Sequence, residues 1–274
     1  MVVAVLVIVN VTHSNTPTST GGPTQFTPVP ASMVQSLQSI PTSVYDKVGV
    51  TSTAAPVTAP TAVSGTPSLT VDGKPGVFYL GGEFCPYCAA ERWAIVTSLA
   101  RFGTFSGLGE MSSSSSDIDP NTQTFTFYKT SLNSTYIGLN AVEHYSNIPD
   151  TATGYYTQLQ PLTKADQKLI STYYSSKYLP GVTDNSQVGI PFVDIGNKVF
   201  VYQSSQYSPS ILQNLSRQQI VSGLDDPTNP VTQAIIASSN YLSAAVCAAD
   251  GAQPAAVCKS KGVSEASKAL KLTS

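Results

Sequence analysis

Three hydropathy patterns divide the chain: short unbroken apolar runs, strict alternation, and apolar residues recurring every three or four positions. Val77-Phe78-Tyr79-Leu80 is an apolar run rich in aromatic and β-branched residues, which predicts a strand over 76–80. Helical spacing takes over at 85–102. After a Gly/Ser-rich loop to Ser116, alternation predicts a second strand over 124–130, followed by an irregular Tyr-, Asn- and Pro-containing stretch. Thr163-Lys164-Ala165-Asp166 carries an N-capping signal and opens a helix to about residue 175. Alternation at 190–195 and 198–202 around Gly196-Asn197 predicts a β-hairpin. Further helices are expected at 210–221, 231–247 and 263–272. Strand, helix, strand, inserted helix, hairpin, helix is the order of an α/β fold: a mixed sheet flanked by helices.

Upstream the pattern is weaker. Residues 1–11 are almost wholly apolar but too few to span a bilayer, which takes about 20 residues. They are expected to be either the remnant of an anchor or a strand lent to a neighbouring subunit, which would allow self-assembly. Residues 12–68 read as stalk and linker, rich in Pro, Thr and Ser at 12–30 and 51–68. Between those stretches Met33, Val34, Leu37 and Ile40 keep helical spacing up to Pro41, and Val44, Val48 and Val50 form a second short patch. The main domain is expected at 69–225 with a helical insertion at about 140–180, and C-terminal helices at 226–274.

Composition narrows the setting. Of the 274 residues 41% are hydrophobic, enough for a core, yet only 11% are charged, against an average of roughly a quarter. A net charge of -2 offers no basic field, so a nucleic-acid partner is excluded. A polar, nearly uncharged surface fits an acidic exterior, because few carboxylates must be protonated as pH falls. The sequons at Asn10, Asn133 and Asn214 are compatible with a glycoprotein.

The candidate chemistry is Cys85-Pro86-Tyr87-Cys88, set between the apolar run and a helical pattern. A strand that hands Cys85 to a helix start places its sulfur near unpaired backbone N–H groups, a position that favours a thiolate nucleophile. Cys88 lies one turn on, on the same face, as the resolving thiol. Pro86 suits the first turn, and Tyr87 is expected to be exposed and to shape the partner surface. Cys247 and Cys258 flank a Gly- and Pro-containing turn and are expected to form a structural disulfide, with a shuttle pair as the alternative. Two local cysteine pairs fit an oxidising compartment, and the second lacks zinc-site spacing, so neither a metal nor a cofactor is expected. His13 and His144 are read as solvated, Glu83 and Glu91 as surface charges or water-linked proton carriers, Arg92 as a surface partner of that acidic neighbourhood, and Trp93 as a core anchor.

The passage from Val77 through Glu83-Phe84 to Cys88 resembles the active-site entry of the thioredoxin fold, and the tetrapeptide is similar to that of glutaredoxins. Gly189-Ile190-Pro191-Phe192-Val193-Asp194 resembles the second signature of that fold, a cis-proline opening the penultimate strand. More narrowly, Phe78 to Trp93 (FYLGGEFCPYCAAERW) resembles an archaeal thioredoxin-like family with membrane-tethered members and no assigned function. The resemblance implies that Pro191 packs opposite Cys85 and leaves the Ile190 backbone to pair with an extended polypeptide. One departure stands out: Tyr79 and Leu80 occupy the place where thioredoxins carry a buried acid.

Two functions follow as expectations. One is an extracytoplasmic, membrane-tethered or secreted thiol-disulfide oxidoreductase that acts on protein thiols and disulfides, with a membrane-embedded redox partner. The other is a structural or assembly subunit of an envelope or filament that keeps the scaffold without redox turnover.

Overall fold

A computed structural model describes residues 26–52, 55–183 and 187–272. The expectations for residues 1–11, most of the stalk, His13 and the Asn10 sequon therefore lie outside the described residues. The fold is α/β, a mixed sheet flanked by helices in a thioredoxin-like arrangement.

Two short helices come first, α1 (Ala31–Gln38) and α2 (Thr42–Val48), separated by Pro41 as the apolar spacing requires. They bury Met33, Leu37, Val44, Tyr45 and Val48 against the main body. Within the expected linker, β1 (Thr61–Ala62) pairs with a strand of the main sheet, so structure begins before residue 69. Next come β2 (Thr70–Val71), β3 (Lys74–Gly82) and α3 (Pro86–Leu99).

A side region follows, with β4 (Thr104–Ser106), β5 (Gly109–Ser112), β6 (Gln123–Thr126) and β7 (Ser131–Asn133). These pair β4 with β7 and β5 with β6 outside the main sheet. The strand expected at 124–130 is thus real in part, yet it does not neighbour β3. The parallel partner of β3 is β8 (Gly138–Asp150), in the stretch read as irregular, and β9 (Tyr155–Gln158) folds back on it. The helical insertion expected at about 140–180 is corrected accordingly: only α4 (Lys164–Tyr173) is helical there, opened by a capping box between Thr163 and Asp166.

The hairpin is β10 (Phe192–Ile195) and β11 (Val199–Tyr202). Residues 210–221 do not form one helix. A 3-10 turn at Pro209–Leu212 is separated from α5 (Arg217–Gly223) by Asn214 in the left-handed region, φ 62°, a conformation Asn tolerates better than most residues. The chain closes with α6 (Pro230–Ala249), α7 (Ala255–Cys258) and α8 (Lys261–Ala269).

The main sheet runs β1-β11-β10-β3-β8-β9, with β2 on the start of β3. Period-two alternation sorts its side chains into two cores. Val77, Tyr79, Val193, Ile195, Val199 and Val201 join the cluster built on α3 and α6. Phe78, Leu80, Phe192 and Phe200 join the second cluster, beneath α4, which also holds Cys85 and Cys88. Burial on both faces explains why β3 reads as an unbroken apolar run.

Candidate functional site

At its C-terminal end β3 turns through Glu83 and Phe84 and delivers Cys85 to the N-cap of α3 with extended backbone (φ -77°, ψ 123°). Pro86 takes the first helical position, where a missing N–H costs little. The Cys88 N–H donates to Cys85 Sγ at 3.2 Å, so the sulfur itself caps the helix. Both residues are free thiols, and both are buried, 2% and 0% exposed. Burial pushes the Cys88 thiol well above its ordinary range. The adjoining Cys85 sulfur adds to the rise, while Arg92 and the Gly82 backbone pull it back.

The antiparallel pairing of β10 with β3 sets Phe192 opposite Leu80, which brings the preceding Ile190–Pro191 bond beside the end of β3 that leads to Cys85. That bond is cis, as is Gln253–Pro254. Ile190 is buried and packs close to Gly82.

Aromatic rings close over the motif. Phe84 stacks on Tyr156 at 4.0 Å between centroids and meets Tyr155 edge-on at 5.8 Å; Tyr155 in turn meets Tyr145 at 5.0 Å. Tyr155 lies near both sulfurs, and burial raises the pKa of its hydroxyl, which has no partner. Tyr87 is half-buried rather than exposed, beside Asp117 and Asp119.

The charged neighbours differ most from expectation. Glu83, Glu91 and Arg92 are fully buried, not solvated. Arg92 forms a two-pronged ion pair with Glu143 of β8, at 2.8 Å from Nε and 2.6 Å from Nη2. Its Nη2 also donates to the Gly82 carbonyl at 2.8 Å. Tyr79 is not an acid, and the buried carboxylate of this ion pair comes from β8. Glu83 accepts a hydrogen bond from Thr126 Oγ1 at 2.7 Å, and its other oxygen has no partner; burial, reinforced by Glu143, raises its pKa to about 7. Glu91 accepts the Gln206 N–H at 3.0 Å, and burial alone takes it to about 7. His144 is likewise buried on β8, with Nδ1 2.7 Å from the Gln160 carbonyl, and burial lowers its pKa. Trp93 is a core anchor, its Nε1 donating to the Gln123 carbonyl at 2.9 Å.

Arg92 stands four residues after Cys88 on the same helix, a spacing present in the sequence although the residue was read as a surface charge. Glu143, Tyr155 and Tyr156 carried no such signal, because only the β8–β9 fold brings them to the motif. Cys247 and Cys258 form a disulfide between the ends of α6 and α7, and Cys247 belongs to the core that does not contain the dithiol. Asn133 and Asn214 are exposed. Among the described residues there is no group of side chains able to hold a metal ion, and no helix long and apolar enough to cross a membrane.

Residues 61–248 match the model of a family described as a domain of unknown function (DUF929), and the chain belongs to that family. The matched span runs from β1 to the last turn of α6 and so takes in the whole sheet and the dithiol. No curated protein and no solved structure matches the chain.

Proposed function

We propose that this member of the DUF929 family is an extracytoplasmic thiol-disulfide oxidoreductase acting on protein cysteines. The observation that carries the reading is a pair of free thiols at the start of α3, with Cys85 Sγ at the N-cap and Cys88 one turn behind it, in a chain whose other two cysteines are joined. Cys85 attacks a substrate disulfide, a mixed disulfide forms, and Cys88 displaces the substrate. Pro86 starts the helix; Ile190 and Pro191 border the site; Tyr87 faces the approach of the partner. The Cys247–Cys258 bridge suits an oxidising compartment. A membrane-embedded redox partner would regenerate the dithiol, and the chemistry needs no cofactor.

Replacing the resolving thiol tests this directly. Cys88→Ser mixed with an oxidised, disulfide-bonded peptide should accumulate a covalent adduct at Cys85, seen as a mass increase that dithiothreitol removes, whereas Cys85→Ser should give none. No adduct in Cys88→Ser would contradict the proposal.

A second reading rests on the burial of both sulfurs. A sealed dithiol suits a structural or assembly subunit in which the scaffold persists without turnover, and it requires both thiols to resist alkylation until the chain unfolds.

A further inference from the structure

Arg92 is a charged group in the core that takes no part in the bond-making steps proposed above. Its guanidinium is fully enclosed, one turn beyond Cys88 on the same face of α3. Three of its contacts are spoken for: two with Glu143 and one with the Gly82 carbonyl. Nη1, however, is buried with no partner. The ion pair therefore leaves one N–H-bearing nitrogen uncommitted in a region that also holds the Cys88 sulfur and the unpartnered hydroxyl of Tyr79.

Keeping an ion pair in a dry core is costly, and well-packed apolar residues often replace one without loss of stability. Stability alone thus gives a weak reason for it. An anion that appears only during the reaction gives a better one, because a fixed cation in a low-dielectric site stabilises charge where it develops.

We infer that Arg92 is a positioning residue that stabilises the Cys88 sulfur as the anion needed to resolve the mixed disulfide. The inference rests on the thiol-disulfide reading above and adds to it the source of the resolving charge. In the step concerned, Cys88 gives up its proton and its thiolate attacks Cys85 Sγ. The Cys85–Cys88 bond forms as the bond from Cys85 to the substrate breaks, and the electron pair leaves on the substrate sulfur, which takes up a proton. The substrate is reduced by two electrons and the dithiol is oxidised by two.

The charged and titratable groups around Cys88 are few. They are Cys85 at the N-cap, Arg92 on α3, Tyr79 on β3, Tyr155 on β9, Glu143 on β8 acting through Arg92, and Glu83 after β3, which faces Arg92 and Glu143 and itself titrates at about 7. Arg92 is the one cation among them. Glu143 opposes it, which gives the inference a sign: removing the arginine charge and removing its counter-charge must act in opposite directions.

The experiment uses the full chain and measures the rate of the second step, release of a labelled peptide from a preformed Cys85 mixed disulfide, between pH 5 and 9. Arg92→Lys should stay near the unsubstituted rate. Arg92→Gln combined with Glu143→Gln should move the pH profile upward and slow release at neutral pH. Thiolate fraction falls tenfold per unit of ionisation shift, partly offset by higher nucleophilicity, so each unit should cost about threefold in rate. Glu143→Gln alone should move the profile downward and speed release at pH 6. An unshifted profile in any charge-altering variant that folds, or the same direction of shift in both, would overturn the inference while leaving the oxidoreductase reading intact. Failure of the unsubstituted chain to release peptide would remove that reading and this inference together.

Discussion

Glu91 has its carboxyl enclosed in the core, one oxygen accepting the Gln206 N–H and the other meeting no partner. An uncompensated charge there is costly, so the folded chain holds the proton up to about pH 7, whereas the unfolded chain releases it near the ordinary value of 4.5. Between those values the folded state binds the extra proton. Its contribution to stability is complete below pH 4.5 and is lost as pH rises through 7. Glu91→Gln keeps the acceptor and removes the titration. Chemical denaturation should show little change at pH 4.5 and a gain on the order of 1–3 kcal/mol at pH 8; an unchanged difference between the two pH values would show that Glu91 is ionised when folded. None of this was legible in the sequence, where a glutamate on a helix reads as a solvated charge. What decides its burial is the packing of residues 205–207 over α3, more than a hundred positions away. The dithiol was legible because its chemistry is local: strand, N-cap, proline and second thiol are consecutive.

At the scale of elements, β9 is the part that most directly controls the site. Its Tyr155 and Tyr156 rest on Phe84 and help to bury Cys85. As an edge strand joined only to β8, it has fewer bonds to break than a central one. Tyr155→Ala with Tyr156→Ala should therefore speed iodoacetamide labelling of Cys85 in the native chain without exposing Trp93 to solvent. Equal labelling rates would mean that another element guards the sulfur. The hairpin of β10 and β11 was readable because Phe192 to Ile195 and Val199 to Tyr202 surround a Gly-Asn turn, a signal contained in eleven residues. Strand β8 was not. Its run includes half-buried Asn140 and buried Glu143 and His144, polar residues accommodated there by Asp166, Arg92 and Gln160. Gly138, at its start, lies so close to the Val71 carbonyl that no side chain fits. These partners are distant in sequence, so the pattern looked irregular although the backbone is a regular parallel neighbour of β3.

The molecule as a whole carries few charges and buries several of them. Glu83, Glu91 and Asp194 each have an unpartnered buried oxygen and each titrates near 7, in all three cases chiefly because of burial. All three act in the direction worked out for Glu91. Buried His144 acts the other way below its ordinary 6.5, because the unfolded chain then binds the proton more readily. Asp150 and Asp226, held below 3.8 by local hydrogen bonds, oppose only at lower pH. With these three carboxylates, joined in direction by Asp119 and Asp250, against the one described histidine, the melting temperature should be higher at pH 5 than at pH 8. A monotonic rise from pH 5 to 8 in calorimetry would contradict the burial of these protons. The expected profile suits an acidic exterior, as does the 11% content of charged residues.

The central claim is that Cys85 and Cys88 exchange electrons with protein thiols, and equilibration of the native chain in glutathione buffers tests it most directly. Thiol state would be fixed by acid quenching and alkylation, then read by peptide mass. The account predicts one two-electron transition, confined to these two cysteines and passing through a glutathione adduct on Cys85, while Cys247–Cys258 stays joined. Thiols that remain reduced at every buffer ratio, and that alkylate only once the chain is unfolded, would contradict it.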